Sequence, residues 1–325
     1  MTQRDAKMTL VDSLATRAAL LAWCCGLGAL TTFDPAALVS VDVITWLTGL
    51  ASHWQWVYAL VGLPLSAFAL ARRRWHILVP VACIVAGWMS QAPAAAPPGA
   101  VTSERILTVA SANLNYDVSD HTELMRWLSS TGAPDVIVLQ EFTEAAKAAV
   151  TTSLIRASHP HQVLEASADQ FGLALISRFP VVSANWVRPE NPLATLKLRA
   201  VIEFQGQRVA VTAVHPMPPI SAAFARERDA SLSLEAKRLL QGGLPGVLAG
   251  DLNDTPWSTG LKVTAPMERA TSLAPTWPNV WGWLSLLPLD HVLVTPGVWV
   301  VHASRGADLH SDHRPVIVQL ALPKS

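Results

Sequence analysis

The sequence predicts a four-layer α/β sandwich, two mixed sheets flanked by helices, preceded by an all-α transmembrane region of about three helices. Three observations lead there. Uncharged or nearly uncharged apolar runs crowd the first ninety residues, at 18–33, 54–71 and 75–90. Beyond a Pro/Ala stretch, short β-prone runs alternate with helical patterns, the signature of mixed sheets covered by helices. Several of the strand-like runs end in carboxylates, carboxamides or imidazoles.

The chain is 51% hydrophobic and 15% charged, against about 25% charged in an ordinary soluble domain. The three apolar runs approach the roughly 17–25 residues that carry a helix across a bilayer. Together they leave too little polar surface for a soluble helical fold, and a cleaved signal peptide accounts for one run, not three. A fourth run, 35–50, carries Asp42. An interfacial or extracytoplasmic course is expected there, because a carboxylate at a helix centre costs a few kcal/mol; a re-entrant or spanning course stays open. Arg4, Lys7 and Arg17 precede the first run, Arg72-Arg73-Arg74 separate the second and third, and 34–53 has no Lys or Arg. The positive-inside rule then makes the N-terminus and the triple-Arg loop cytoplasmic. Three spans place everything after Ser90 outside, in a multi-pass protein of the cell (inner) membrane. If 35–50 also spans, the domain lies inside.

Residues 91–104 (QAPAAAPPGA and the next four) read as an extended Pro/Ala linker. The domain after it, 105–321, has no cysteine, since Cys24, Cys25 and Cys83 all precede the linker. That excludes a disulfide framework and a Cys-based zinc site in the domain. Residues 101–325 hold 18 basic and 20 acidic side chains. This is not the basic balance of a protein that grips long nucleic acid, and no stable nucleic-acid partner is expected.

Within the domain, strands are expected at 106–112, 135–139, 171–176, 196–204, 208–214, 247–249, 292–294, 298–301 and 316–320. Gln205-Gly206-Gln207 reads as a hairpin turn between the fourth and fifth. Asp120-x-x-Glu123 resembles a capping box before the helical pattern Leu124, Trp127, Leu128. Further helices are expected at 143–154 and 221–241, the latter ended by Gly242-Gly243.

The strand ends carry the chemistry: Asn113, Gln140-Glu141, Gly250-Asp251-Leu252-Asn253, Leu289-Asp290-His291 and Ser311-Asp312-His313. Polar groups beside buried runs are costly unless they pair or hold a metal. In order and spacing these strings resemble the motifs of the endonuclease/exonuclease/phosphatase superfamily, over residues 105–321. The resemblance implies a metal-dependent phosphoric ester hydrolase, with Mg²⁺ (or Mn²⁺) as cofactor.

Magnesium prefers hard oxygen ligands and keeps several waters, so one or two carboxylates suffice. Glu141 is the leading candidate ligand, and Asn113 offers a carboxamide oxygen to metal or phosphate. The resemblance implies that Asp251 orients or deprotonates water, and that Asn253 holds a phosphate oxygen. It further implies that Asp290 pairs with His313, that Asp312 binds metal or metal-bound water, and that His215 contacts phosphate or assists the leaving group. The second position after Asn113 is often acidic in that family; here it is Asn115, which is assigned to substrate binding. Arg178 reads as structural. His291 should point away from its neighbour Asp290, and Ser311 sits in no Gly-x-Ser-x-Gly elbow.

Thr276 to Leu289 is uncharged and holds Trp277, Trp281 and Trp283. Tryptophans suit membrane interfaces and apolar tails, so this stretch reads as either a core loop or an apolar lip beside Asp290. Three spans before such a domain also resemble the membrane phosphatases tied to teicoplanin resistance. The expected substrate is therefore a lipid-linked phosphate or pyrophosphate, with the lipid bilayer as partner. An extracytoplasmic nuclease and a catalytically silent sensor are the rival readings.

Overall fold

The computed structural model describes residues 3–34, 42–91, 105–280 and 285–323. The chain divides into two compact units, Met1–Gln91 with Trp257–Thr259, and the remainder. The expected linker lies, from residue 92 to 104, outside the described residues.

The first unit holds α1 (Gln3–Ala29), α2 (Asp42–Ser52), α3 (Gln55–Ala71) and α4 (Leu78–Met89). Helix α1 starts well before residue 18 because Lys, Arg, Ala, Leu and Met are all good helix formers; charge marks a membrane boundary, not a helix end. A 3₁₀ turn extends it to Phe33. The expected three spans are not clearly present. Among the described residues, only Leu10–Phe33 is by itself long and apolar enough to cross a membrane. Helices α2 and α3 pass that test only as a pair bent by 64°, and the apolar helix Trp75–Met89 is shorter. Asp42 opens α2, and residues 35–41 lie outside the described residues. Small residues (Ala19, Ala22, Ala69) and Ile77 fill the interior of this unit, while Leu20, Leu21, Leu27 and Leu60 point outward and are more than half exposed.

The second unit runs β1 (Ile106–Asn113), α5 (Thr122–Leu128), β2 (Val136–Gln140), α6 (Glu144–Val150), α7 (Ser153–Ser158), β3 (His161–Glu165), β4 (Leu173–Ser177), β5 (Val181–Val187), β6 (Lys197–Phe204), β7 (Gln207–Val214), α8 (Ala222–Gln241), β8 (Gly246–Asp251), α9 (Thr259–Lys262), β9 (Glu268–Arg269), β10 (Asp290–Val294), β11 (Trp299–Arg305) and β12 (Val316–Ala321). One sheet has the order β11-β12-β1-β2-β4-β3 and the other β5-β6-β7-β8-β10-β9. Among the described residues, only β1–β2 and β7–β8 pair in parallel, so both sheets are mixed.

Alternation along each strand builds the layers. Val109, Val138 and Val318 of the first sheet meet Val211, Ala249 and Val292 of the second in one shared core. The opposite faces pack outward. Ala110, Ile137 and Leu139 cover Leu124, Leu128 and Val150 of α5 and α6, while Val214, Leu248 and Leu293 cover Leu232, Ala236 and Leu239 of α8. Two mixed sheets flanked by helices is the predicted class.

Local expectations meet two corrections. Helix α5 is capped at His121 without a side-chain bond; Asp120 instead closes a turn onto Thr122 N–H and Oγ1. The helix expected over 143–154 breaks into α6 and α7, with Thr143 as N-cap accepting from Ala146 N–H. The adjacent threonines Thr151 and Thr152 turn their hydroxyls onto carbonyls of the preceding turn, which competes with helix continuation.

Candidate active site

The strand ends converge on one end of the sandwich. Parallel pairing sets Asn113 beside Gln140, so Glu141 follows directly after β2. In the second sheet, antiparallel pairing sets Asp290 opposite Asp251. Gly250 is obligatory here: a Cβ would overlap the Val214 carbonyl, and the close approach of β7 brings His215 beside Asp251.

Six predicted side chains form one contact chain across both sheets. Asn113 Nδ2 donates to Glu141 Oε1 at 2.9 Å and to Asp251 Oδ2 at 3.1 Å. Its oxygen faces away from the carboxylates and accepts Asn115 N–H at 2.9 Å. Only the amide nitrogen can satisfy two carboxylates, which fixes this orientation. His215 Nε2 lies 3.5 Å from Asp251 and 3.9 Å from Glu141. His313 Nδ1 meets Asp290 Oδ2 at 2.9 Å, which turns Nε2 toward Asp251 Oδ2 at 3.6 Å. Asn113, Asp251, Asp290 and His313 are all buried.

The ring protons follow from the partners. His215 Nδ1 sits 3.2 Å from the Gln170 carbonyl, which only accepts, so Nδ1 carries hydrogen and Nε2 is the working nitrogen. Burial disfavours the charged form of both rings, yet carboxylates overrule it. Asp290 and then Asp251 push His313 up to about 10, and Asp251 with Glu141 raises His215. Burial would raise Asp251; the charges of His313 and His215 instead hold its carboxyl well below the usual carboxylate range. Burial also raises Asp290, while the charge of His313 and the hydrogen bond between them pull its carboxyl the other way.

Three predicted residues form a second group beside the first. Asp312 is exposed and accepts from Asn115 Nδ2 at 3.0 Å and from Trp277 Nε1 at 3.1 Å. The half-buried Trp277 ring tilts against His313, with centroids 6.5 Å apart. Trp281 and Trp283 lie outside the described residues. Asn253 does not continue the strand. Its backbone is left-handed (φ 48°), its N–H caps Asp251 Oδ1, and its amide donates to the Pro216 carbonyl at 3.0 Å. Glu141 (φ 53°) and Asn115 (φ 54°) share that backbone region, which costs a non-glycine residue on the order of 1 kcal/mol and clusters at functional sites.

The residues set aside behave accordingly. His291 faces the other side of β10, bonded to the Asp254 and Pro288 carbonyls, and burial pushes it down to about 4. Arg178 bonds the Ala133 carbonyl, and Ser311 Oγ accepts His313 N–H. One residue escaped sequence reasoning. The fully buried Thr276 accepts Leu289 and Asp290 N–H on its hydroxyl and Arg314 N–H on its carbonyl, joining the segments that carry both members of the Asp290–His313 pair. No spacing rule marks it, because its partners are remote in sequence.

The donor set suits a divalent cation. Asp251, Asp290 and His313 present ligand atoms within 4.8 Å of one another, and Glu141 faces Asp251 across Asn113. Carboxylate oxygens with an imidazole are a donor set for a divalent metal ion.

The comparisons with known proteins agree with this architecture. An endonuclease/exonuclease/phosphatase from Beutenbergia cavernae superposes with a TM-score of 0.55 at 20% identity, covering 68% of this chain and 72% of that one. D. rerio TDP2, solved with a single-strand DNA product, gives 0.54 at 18% identity over 66% and 98%. Sphingomyelinase C from Streptomyces griseocarneus gives 0.51 at 20% identity over 66% and 99%. At these identities the likeness is one of fold. No curated protein matches the sequence significantly. The model of the Endonuclease/Exonuclease/phosphatase family matches residues 110–313, most of the chain and every strand end described above, and the protein belongs to that family.

Proposed function

We propose that the protein is a membrane-anchored, metal-dependent phosphoesterase acting on a lipid-linked phosphate or pyrophosphate at the outer membrane face. The observation that carries the hydrolase reading is the arrangement of Asp251 between two oriented imidazoles, His215 and His313, with Asn113 and Glu141 alongside. A divalent ion held by Glu141 and its carboxylate neighbours would neutralise phosphoryl charge and acidify water. The protein groups have separable tasks. Asp290 fixes the tautomer and tilt of His313, so Nε2 faces the reacting phosphate. Asp251 accepts a proton from, or aligns, the attacking water. His215 Nε2 serves the phosphate or the leaving oxygen. Intact acid–base groups speak against a silent sensor.

The lipid part of the reading has separate support. The apolar helix Leu10–Phe33 and the outward leucines of the first unit suit a bilayer. The charge balance of residues 101–325 is that of a protein without a polyanion groove, and Trp277 stands against His313 where an apolar tail could lie. An undecaprenyl pyrophosphate-like lipid or a phospholipid satisfies both ends.

The test is turnover by the full chain in detergent with Mn²⁺, against a polyprenyl pyrophosphate, a phospholipid and single-stranded DNA. Lipid turnover with DNA left intact is the expected result. Efficient DNA cleavage with no lipid turnover would establish the nuclease reading, which the DNA-bound TDP2 fold keeps as the rival. Topology has its own check: an outside-only reporter fused after Ser325 should be active, and one fused within Arg72–Arg74 silent.

A further inference from the structure

Behind the Asp251 loop lies a buried ion cluster that no step above uses. Arg228, on α8, is 4% exposed and Asp254 is fully buried. Arg228 Nη1 donates to the Asn253 carbonyl at 2.8 Å and lies 3.1 Å from Asp254 Oδ1. Its Nε donates to Asp229 Oδ1 at 2.9 Å, and Asp229 keeps partial contact with water. Gly260 closes the cluster. A Cβ there would meet Asp254 Oδ2, Arg228 Nη2 and Asp229 Oδ1, all inside van der Waals contact.

The placement matters because of what Asn253 does. It is the left-handed residue whose N–H caps Asp251 Oδ1 and whose amide grips the Pro216 carbonyl, one residue beyond His215. A left-handed backbone is sterically disfavoured for an L-residue, though less so for asparagine than for most, so the turn gains from support outside it. A planar guanidinium that holds its carbonyl and the next side chain at once over-determines the turn.

We infer that Arg228 is a positioning residue: with Asp254 and Gly260 it locks the Asn253 turn, and through that turn it aims Asp251 at His215 and His313. The inference rests on the hydrolase reading for its kinetic consequence, but not for its structural one.

The test replaces the ion pair by apolar residues of similar volume, Arg228→Met with Asp254→Leu, a change that folded proteins commonly tolerate. Two readouts are taken on the full chain in detergent. Hydrogen exchange over residues 250–255 should speed up at least tenfold, with exchange in β6 and β12 unchanged. With bis-p-nitrophenyl phosphate and Mn²⁺, kcat should fall at least tenfold while KM stays within threefold. Arg228→Lys, which keeps the charge but not the fork, should fall between wild type and the double variant. Gly260→Ala should reproduce the loss with every charge retained. Unchanged exchange over 250–255, or unchanged kcat in a folded double variant, overturns the inference. Unfolding of all three variants would make Arg228 a stability residue only, and also overturns it. A wild-type chain that hydrolyses nothing would instead remove the hydrolase reading, with the exchange result still deciding the role of Arg228.

Discussion

The indole N–H of Trp277 donates to Asp312 Oδ2 while Asn115 Nδ2 takes Oδ1, so both oxygens of this carboxylate are engaged by neutral donors. The clasp ties the tryptophan to the edge of the site and occupies the group that the sequence nominates as a metal ligand. Replacing Asn115 by Asp would set two carboxylates against each other, an arrangement that demands a proton or a cation. Asn115→Asp is therefore expected to bind Mn²⁺ more tightly than wild type, or to bind an additional ion, in a calorimetric titration. An unchanged isotherm would place Asp312 out of reach of the cation.

Glu141 lies on the other side, next to Asn113 and His215. Glu141→Gln keeps the shape but removes charge, and its single amide oxygen can keep only one of the two hydrogen bonds that Glu141 accepts, from Asn113 Nδ2 and Tyr116 N–H. Activity should fall by about 10²-fold or more, a size typical of losing one charge-stabilising group, and Mn²⁺ affinity should weaken with an unaltered far-UV circular dichroism spectrum. Chelator should abolish turnover, and added Mg²⁺ or Mn²⁺ should restore it.

Asp290 and His313 share one hydrogen bond across the two sheets. Groups that act as a unit lose function non-additively. Asp290→Ala, His313→Ala and the double variant should show similar residual kcat values; multiplying losses would show that the two act independently.

His159 should cost stability on mild acidification. Burial lowers His159 from its ordinary 6.5, and the fold holds it neutral, with one ring nitrogen against the Pro134 carbonyl and the other against Ser158 Oγ. A depressed folded value means that its contribution is complete above 6.5 and shrinks as pH drops through the folded value. His291 adds in the same direction down to about 4. Further down, Glu235 follows. Burial would raise its carboxyl, but Arg199 and then Arg238 hold it below 4.5, so its support is lost only in stronger acid. Asp229, raised by burial to about 6, titrates in the same window with the opposite sign, so the check is a difference: in thermal melts of the full chain in detergent from pH 7 to pH 5, His159→Gln should lose less Tm than wild type.

Much of this was legible in the sequence because strand ends announce themselves: an apolar run that stops at Asn113, Glu141, Asp251 or Asp290 shows both the strand and its cargo. The shared core follows from the same alternation. What escaped was set by partners remote in sequence. Strand β5 is an edge strand whose side chains are largely exposed, so no alternation marks it. Strand β3 is also an edge strand, half-buried along its whole length, so again no alternation marks it. In Asp251-Leu252-Asn253 a continued strand would put both polar side chains on one face, but the chain turns left-handed at Asn253 and its amide goes to Pro216. In the first unit, hydropathy located the apolar runs but not their helices, since 54–71 and 75–90 yield helices of 17 and 12 residues.

The cross-sheet bonds Asn113–Asp251 and His313–Asp290 give the inner core a second duty. Val109, Val138, Val211 and Ala249 do more than exclude water; they are the shims that set the clearance between two plates carrying opposite halves of the chemistry. Packed sheets stand about 10 Å apart, and hydrogen bonds tolerate only tenths of an ångström. A methyl group removed far from any phosphate would thus detune the site before it unfolded the protein, and a library aimed at altered rate should reach into this layer as well as the rim.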